Sequence, residues 1–430
     1  MRVFFTNLGC KLNQAELEHL ARRFTAAGHQ VVASVEAADV QVINSCTVTH
    51  LAARTSRKTV RQGRRKNPDL RTVLTGCYAS DPDGQEAALE EVDLLVPNDQ
   101  KDRLLELVEE SFEPLLEPGA PESLDGASEE SPSLPFGPLE FGNSRGLVKV
   151  EDGCNMRCSF CIIPFTRGRQ HSRSVEECVE EVDGLGRAGY QEVVITGVQI
   201  SAYRDGSARL ADLVQALLEQ TSVPRLRLTS IAPWQLDPRL LELWQDPRLC
   251  RHLHMSLQSG CSATLRRMRR PYTAEGYAEV LASARRAVPG LGVTTDVIVG
   301  FPGETEEEFE DSLAFTEAQH FAKIHVFPYS QRRGTSADAL PGQVSPQEKK
   351  RRVARMLEVA EASHETFRRR HLGRREEVVW ESRRDGWWRG MTDNYIRVFT
   401  RSSRRLPAEP TVTELLALRE DGVEGVPSAG

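Results

Sequence analysis

Apolar residues in this chain gather in short runs, never in long ones. Near the N-terminus Val3-Phe4-Phe5-Thr6, Val40-Gln41-Val42-Ile43-Asn44 and Thr72-Val73-Leu74-Thr75 read as strands. Each stops shortly before a cysteine: Cys10, Cys46 and Cys77. A helical pattern follows the first two, and a less regular stretch follows the third. Short strands alternating with helices predict a parallel sheet, whose carboxyl-end loops share one edge. Three cysteines remote in sequence can meet on that edge.

Six further strand-like runs follow: Leu147 to Val150, Glu192 to Ile195, Leu226 to Leu228, His252 to Met255, Val293 to Val299 and Lys323 to Phe327. Helical patterns such as Val175 to Ala188 and Glu304 to Ala318 separate them. Repeated strand–helix units predict an open or closed β/α barrel with its chemistry at the carboxyl ends of the strands. After Arg370 the helical pattern fades. Val378-Val379-Trp380-Glu381, Trp387-Trp388-Arg389 and Ile396-Arg397-Val398-Phe399 follow, with Asp385-Gly386 as a hairpin signal, and predict a small all-β barrel. The later strands of that barrel are indistinct. The expected domains are 1–112, a Pro/Gly-rich acidic linker at 113–139 that cannot bury a core, 140–370 and 371–430.

Composition narrows the class. A chain of 430 residues with 39% hydrophobic and 27% charged residues is ordinary for soluble globular domains. No apolar run approaches the roughly 20 residues that span a bilayer, so no membrane partner is expected. Met1-Arg2-Val3-Phe4-Phe5 reads as a first strand rather than a signal peptide. Nine cysteines in such a cytoplasmic-type chain point to metal or redox use rather than disulfides. A net charge of -7 argues against bulk attraction to nucleic acid, so any RNA binding must come from local basic surfaces.

The densest chemistry is Cys154-Asn155-Met156-Arg157-Cys158-Ser159-Phe160-Cys161. Three thiolates this close can hold one face of a metal centre. A cubane iron–sulfur cluster normally takes four cysteines, so three leave one iron open. Zinc is a rival, with His171 as a fourth ligand. Three buried core cysteines are the plain alternative. Cys178, Cys250 and Cys261 have no ligand spacing and read as structural.

The triplet resembles the cluster motif of the radical S-adenosylmethionine enzymes. The longer run Gly153 to Arg173, with Ile162-Ile163-Pro164-Phe165-Thr166-Arg167-Gly168 and Ser172-Arg173, resembles the methylthiotransferases among them. Asn7-Leu8-Gly9-Cys10, Asn44-Ser45-Cys46 and Thr75-Gly76-Cys77 match the auxiliary-cluster half of that family. The resemblance implies an α/β fold with an N-terminal parallel-sheet domain, a central six-unit partial β/α barrel and a small C-terminal RNA-binding β-barrel of the TRAM kind. It implies two 4Fe-4S clusters, one on Cys154, Cys158 and Cys161 and one on Cys10, Cys46 and Cys77. It also implies S-adenosylmethionine, bound at the open iron of the first cluster and split to a 5′-deoxyadenosyl radical. The cofactor carries the hard chemistry, and the protein supplies placement and exclusion of water.

By the same resemblance Phe160, Thr196, Gly197, Gln258, Asp296 and Phe327 line the S-adenosylmethionine pocket. Asp296 lies in a β-branched run, where a carboxylate is costly to bury unless paired with ribose hydroxyls or a basic side chain. His252, His254 and His325 read as ordinary strand histidines. Arg57, Arg61 and Arg64 belong to a basic stripe that suits phosphates and equally suits a solvated helix face. Arg269, in the run Arg266 to Arg270, is either an RNA guide or a helix cap. Trp388 and Arg389 suit base stacking and phosphate contact.

Gly9-Cys10-Lys11-Leu12-Asn13-Gln14, Cys46-Thr47-Val48-Thr49, Gly76-Cys77-Tyr78-Ala79 and Met268-Arg269-Arg270 most resemble the branch acting on threonylcarbamoyladenosine at position 37 of tRNA. Gln199 departs from that branch and is more like the isopentenyladenosine branch. A branch acting on a ribosomal-protein aspartate fits less well, because its first cysteine is followed by proline. The implied partners are a tRNA anticodon loop, a reductant such as flavodoxin or ferredoxin, and a sulfur donor. A reading of another class is a non-catalytic iron–sulfur RNA-binding sensor. It has no use for the six pocket segments.

Overall fold

In the computed structural model, which describes residues 1–81, 92–112 and 145–428, the chain forms two compact units. The expected linker, 113–139, lies outside the described residues. No helix among the described residues is long and apolar enough to cross a membrane.

Of the described residues, the first unit takes in 1–81, 92–112, 153–155 and 162–169. Its sheet contains β1 (Arg2–Asn7), β2 (Gln30–Val31), β3 (Val40–Ser45), β4 (Arg71–Gly76) and β5 (Leu94–Val96). They run parallel in the order β2-β1-β3-β4-β5. The whole of β3 is buried, as its continuous apolar run requires in the middle of a covered sheet. Phe5 and Val42 are register partners, and Phe5 packs edge-on against Phe24 of the helix Lys11–Ala26. Ile43 and Leu74 point the other way and pack with Ala53 and Val60 of the helix His50–Lys66. The sheet is thus wound on both faces. In this strand order the topological switch falls between β1 and β3, where the open carboxyl edge offers a ligand crevice.

Of the described residues, the second unit takes in 145–152, 156–161 and 170–428. Its core strands are β6 (Arg145–Lys149), β9 (Glu192–Thr196), β12 (Leu226–Leu228), β13 (His252–His254), β14 (Gly292–Val299) and β15 (Lys323–Pro328). They form two parallel three-stranded sheets, β6-β9-β12 and β13-β14-β15, linked by the parallel bridges Leu226 to Leu249 and Ile231 to Met255. Six parallel strands in chain order, with no pairing between β6 and β15 among the described residues, make the expected six-unit partial barrel. Two short antiparallel pairs sit in its loops: β7 (Glu151–Asp152) with β8 (His171–Ser172), and β10 (Arg204–Asp205) with β11 (Ala208–Arg209). The helices start as their sequences dictate. Ser174 and Glu177 form a capping box on Val175–Arg187, and Thr305 and Glu308 form one on Glu306–Ala318.

The unit ends in a closed barrel of β16 (Arg375–Arg384), β17 (Trp387–Thr392), β18 (Arg397–Arg401), β19 (Thr411–Arg419) and β20 (Gly422–Pro427). Asp385 and Gly386 both take positive φ, 52° and 79°, as a two-residue hairpin demands. Val378, Trp380, Val398, Leu415 and Val423 fill the interior. The turn after β17 docks on the partial barrel. There Tyr395 stacks on His252 at 4.4 Å. Arg227 donates to the carbonyls of Asp393 and Thr392.

Candidate functional site

Cys10, Cys46 and Cys77 follow β1, β3 and β4 on the carboxyl edge of the first unit's sheet. Asn7 pairs with Asn44, and Ser45 with Gly76, so the three loops leave side by side. Cys10 is also the N-cap of Lys11–Ala26 and makes no cap hydrogen bond through its side chain. Its sulfur stands at the positive end of a helix dipole, which favours a thiolate. Gly76, at φ +95°, brings the backbone of its loop against β3, and a Cβ there would lie 2.4 Å from the Ser45 carbonyl oxygen. Burial pushes the Cys46 thiol up to about 11, with Cys77 and Cys10 adding to the rise and Arg167 pulling it down. Cys46 therefore lies within electrostatic reach of both Cys10 and Cys77.

A buried polar frame surrounds them. Arg167 Nε donates to Cys77 Sγ at 3.2 Å, and Arg167 Nη1 donates to Glu16 at 2.8 Å. Lys101 donates to Glu16 at 2.7 Å. Cys10 Sγ donates to Asn13 Oδ1 at 3.4 Å, and Asn98 Nδ2 lies 3.9 Å from Cys77 Sγ. Among the described residues no three or more His, Cys, Asp or Glu are gathered tightly enough to share a single ion. The three candidate ligands are all thiols, the donor type that holds an iron–sulfur cluster, and a cubane presents a separate iron to each.

Cys154 belongs to the first unit, where its amide donates to the Gly168 carbonyl at 3.1 Å. Gly153 before it, at φ +71°, has no room for a side chain, since a Cβ would meet the Arg169 carbonyl oxygen at 2.2 Å. Cys158 and Cys161 belong to the second unit and are half-buried. Cys158 Sγ accepts from Arg270 Nη1 at 3.2 Å. That guanidinium lies over Trp234 and Tyr272, which stack on each other at 5.4 Å. Chain spacing alone holds Cys154 within seven residues of Cys161.

The pocket candidates fall on the carboxyl half of the partial barrel. Phe160 packs edge-on against Phe301 at 6.5 Å. Thr196 ends β9, buried beside Thr229. A Cβ on Gly197 would meet Glu151 at 2.8 Å, which accounts for the glycine. Glu151 in turn accepts from the Gln199 amide at 2.9 Å. Gln258 takes φ 69° and bridges to Val297. Phe327, near the end of β15, is 43% exposed. Asp296 is paired, as its setting requires. Burial works against its charge, but His254 at 3.2 Å and Ser256 at 3.2 Å hold the carboxyl below its ordinary range.

The remaining candidates divide. Arg57 donates to Tyr78 at 3.1 Å, one residue past Cys77, and with Arg54, Lys58, Arg61 and Arg65 lines a surface concavity of about 420 Å³. Arg61 and Arg64 are exposed, and Arg64 is paired with Asp93. Arg269 is exposed at φ 56°. Trp388 lends its ring to the barrel interior, and Arg389 lies over Phe399. Trp387 is the ring that meets arginines, Arg419 at 3.5 Å and Arg401 at 4.8 Å.

Glu16 and Lys101 give no signal in the sequence, and Arg167 and Arg270 stand out there only inside matched runs, with no role of their own. His254 looked like any strand histidine, yet its even spacing from His252 puts it on the face that Thr294 and Asp296 share.

A family model described as "Radical SAM superfamily" matches residues 148–316, and one described as "Uncharacterized protein family UPF0004" matches residues 2–97. The chain is 35% identical to the threonylcarbamoyladenosine tRNA methylthiotransferase MtaB of Bacillus subtilis, over 92% of its length and 89% of that protein. It is 37% identical to the protein of that name from Aquifex aeolicus, over 93% and 96%. It is 31% identical to the tRNA-2-methylthio-N(6)-dimethylallyladenosine synthase of Bacillus velezensis, over 88% and 76%. Among solved structures, the radical S-adenosylmethionine methyltransferase TsrM from Kitasatospora setae matches with a TM-score of 0.56 at 15% identity, over 78% of this chain and 77% of that one. That last likeness is one of fold.

Proposed function

We propose that this chain, which belongs to the radical S-adenosylmethionine methylthiotransferase family, adds a methylthio group to threonylcarbamoyladenosine at position 37 of tRNA. The family uses S-adenosylmethionine and two 4Fe-4S clusters. When bound and reduced, the cluster–cofactor pair supplies the radical that opens an unactivated C–H bond. In this reading Cys154, Cys158 and Cys161 hold the first cluster and Cys10, Cys46 and Cys77 the second. Phe160, Thr196, Gly197, Gln258, Asp296 and Phe327 hold and shield the cofactor. The His254–Asp296 pair keeps a carboxylate ionised in a half-buried setting, where it can accept hydrogen bonds from a ribose.

For the tRNA anticodon loop the candidate contacts are Arg57, Arg61 and Arg64 on the helix His50–Lys66 of the first unit, and Arg269 and the terminal barrel at 371–430 in the second. Trp387, between two arginines, supports the stacking role better than the inward Trp388. A reductant and a sulfur donor complete the set of partners, in the cytoplasm. The observation that carries the proposal is a second set of three thiols at the switch point of a separate sheet, in a chain whose relatives bear methylthiotransferase names.

A second reading, with isopentenyladenosine as substrate, is favoured by Gln199 alone. Its side chain donates to Gln235 Oε1 at 2.6 Å near the end of β9. Mass spectrometry of tRNA nucleosides from cells lacking the protein separates the two. Loss of the methylthio mark on threonylcarbamoyladenosine supports the proposal, and loss on isopentenyladenosine moves the substrate. An unchanged profile overturns both.

A further inference from the structure

Arg167 is almost fully buried and spends its planar fork on three acceptors within the first unit. Nε donates to Cys77 Sγ at 3.2 Å, Nη1 to Glu16 Oε1 at 2.8 Å, and Nη2 to Asn13 Oδ1 at 2.8 Å. Asn13 Oδ1 is also the acceptor for Cys10 Sγ. One residue thus touches the surroundings of two of the three thiols. Glu16 serves two buried cations, Arg167 and Lys101, whose side chains are 1% and 5% exposed. Desolvating a guanidinium costs several kcal/mol unless negative charge meets it, and a carboxylate shared with a lysine meets it only in part. The Cys77 sulfur is a further acceptor for the guanidinium. A cluster on three thiolates bears net negative charge, which a guanidinium bonded to one of its sulfurs complements.

We infer that Arg167 is a positioning residue that raises the reduction potential of the group held by Cys10, Cys46 and Cys77, through its hydrogen bond to Cys77 Sγ, and that Glu16 trims that effect. The inference rests on the reading of those cysteines as cluster ligands. Hydrogen bonds and positive charge at a cluster's sulfurs stabilise its reduced, more negative form. Removing the arginine lowers the potential. Neutralising Glu16 leaves both cations less compensated and raises it. Opposite signs from two neighbours in one frame are what an electrostatic role requires, and a purely structural role gives no such pattern.

The test uses the full chain with Cys154→Ala, Cys158→Ala and Cys161→Ala, reconstituted anaerobically so that one cluster remains, and follows its paramagnetic signal in a redox titration. Adding Arg167→Gln should reduce the ratio of reduced to oxidised cluster at fixed potential about tenfold, a shift of about 59 mV for one electron. Arg167→Lys, which keeps the charge but cannot reach all three acceptors, should shift it less. Glu16→Gln should shift it the other way. Unmoved potentials, or the same sign from Arg167→Lys and Glu16→Gln, overturn the inference while leaving the cluster assignment intact. Should Arg167→Gln fail to hold iron, the lysine and Glu16 variants decide. No iron in the parent triple variant overturns the cluster assignment itself, and the inference with it.

Discussion

Arg227→Met should loosen the second unit, and the structure gives the size of the effect. The guanidinium donates to both oxygens of Glu192, at 2.6 and 2.9 Å, with both side chains fully buried. It also donates to the carbonyls of Asp393 and Thr392 at 2.8 and 3.0 Å, tying the terminal barrel to β12. Burial alone would push the Glu192 carboxyl up. Arg227 reverses this and holds it at about 2, against an ordinary 4.5. That depression corresponds to about 3 kcal/mol at neutral pH. It agrees with the ~3–5 kcal/mol typical for deleting one partner of a buried pair. Methionine fills much of the space but leaves Glu192 with Arg145 at 3.7 Å.

Urea denaturation followed by tryptophan fluorescence reads the loss, because all five tryptophans lie in the second unit. In the parent, the Glu192 contribution is present above pH 4.5 and is lost as pH falls toward 2. In the variant the carboxyl is no longer held low, so protonation relieves it on acidification. The gap between the two must therefore narrow as pH falls. Adding Glu192→Gln should recover part of the loss. A variant as stable as the parent at pH 7, or a gap that widens in acid, refutes the reasoning.

Three other perturbations follow from the same geometry. Gly76→Ala places a Cβ against the Ser45 carbonyl at a positive φ; it should cost about 1–3 kcal/mol and lower iron retention on Cys10, Cys46 and Cys77, measured by iron and sulfide content. Asp296→Asn removes the charged partner of His254 and should weaken S-adenosylmethionine binding about tenfold, or about 1.4 kcal/mol, in equilibrium dialysis; unchanged affinity would take Asp296 out of the pocket. Arg57→Ala with Arg61→Ala should lower tRNA affinity and flatten its dependence on salt by about one unit of slope for each phosphate no longer neutralised; an unchanged slope would return that helix face to plain solvation.

The parts of the fold set by local patterning were legible in the sequence. Strands ending just before Cys46 and Cys77 announced a parallel sheet with its loops on one edge, and six spaced runs announced the partial barrel. Asp385-Gly386 announced its hairpin because only a few residues tolerate two positive φ values in succession. What depends on distant packing was not legible. Arg167 lies 151 residues from Glu16, and Arg270 112 residues from Cys158, so neither pairing leaves a periodic trace. The inward turn of Trp388 hinges on a strand register that its neighbour Trp387 could equally have taken. The indistinct last strands, Thr411–Arg419 and Gly422–Pro427, carry a register shift between Leu415 and Ala417 that breaks the alternation.

Central to the proposed function is a division of labour: one thiol triad serves radical generation and the other sulfur delivery. The most direct test compares the anaerobically reconstituted parent with a Cys10→Ala, Cys46→Ala, Cys77→Ala variant, given reductant, S-adenosylmethionine and tRNA bearing threonylcarbamoyladenosine. The variant should keep about half the iron, as expected when one of two like clusters is removed, and still release 5′-deoxyadenosine, but form no methylthiolated nucleoside. Methylthiolated product from the variant, or no 5′-deoxyadenosine from the parent, would contradict that division.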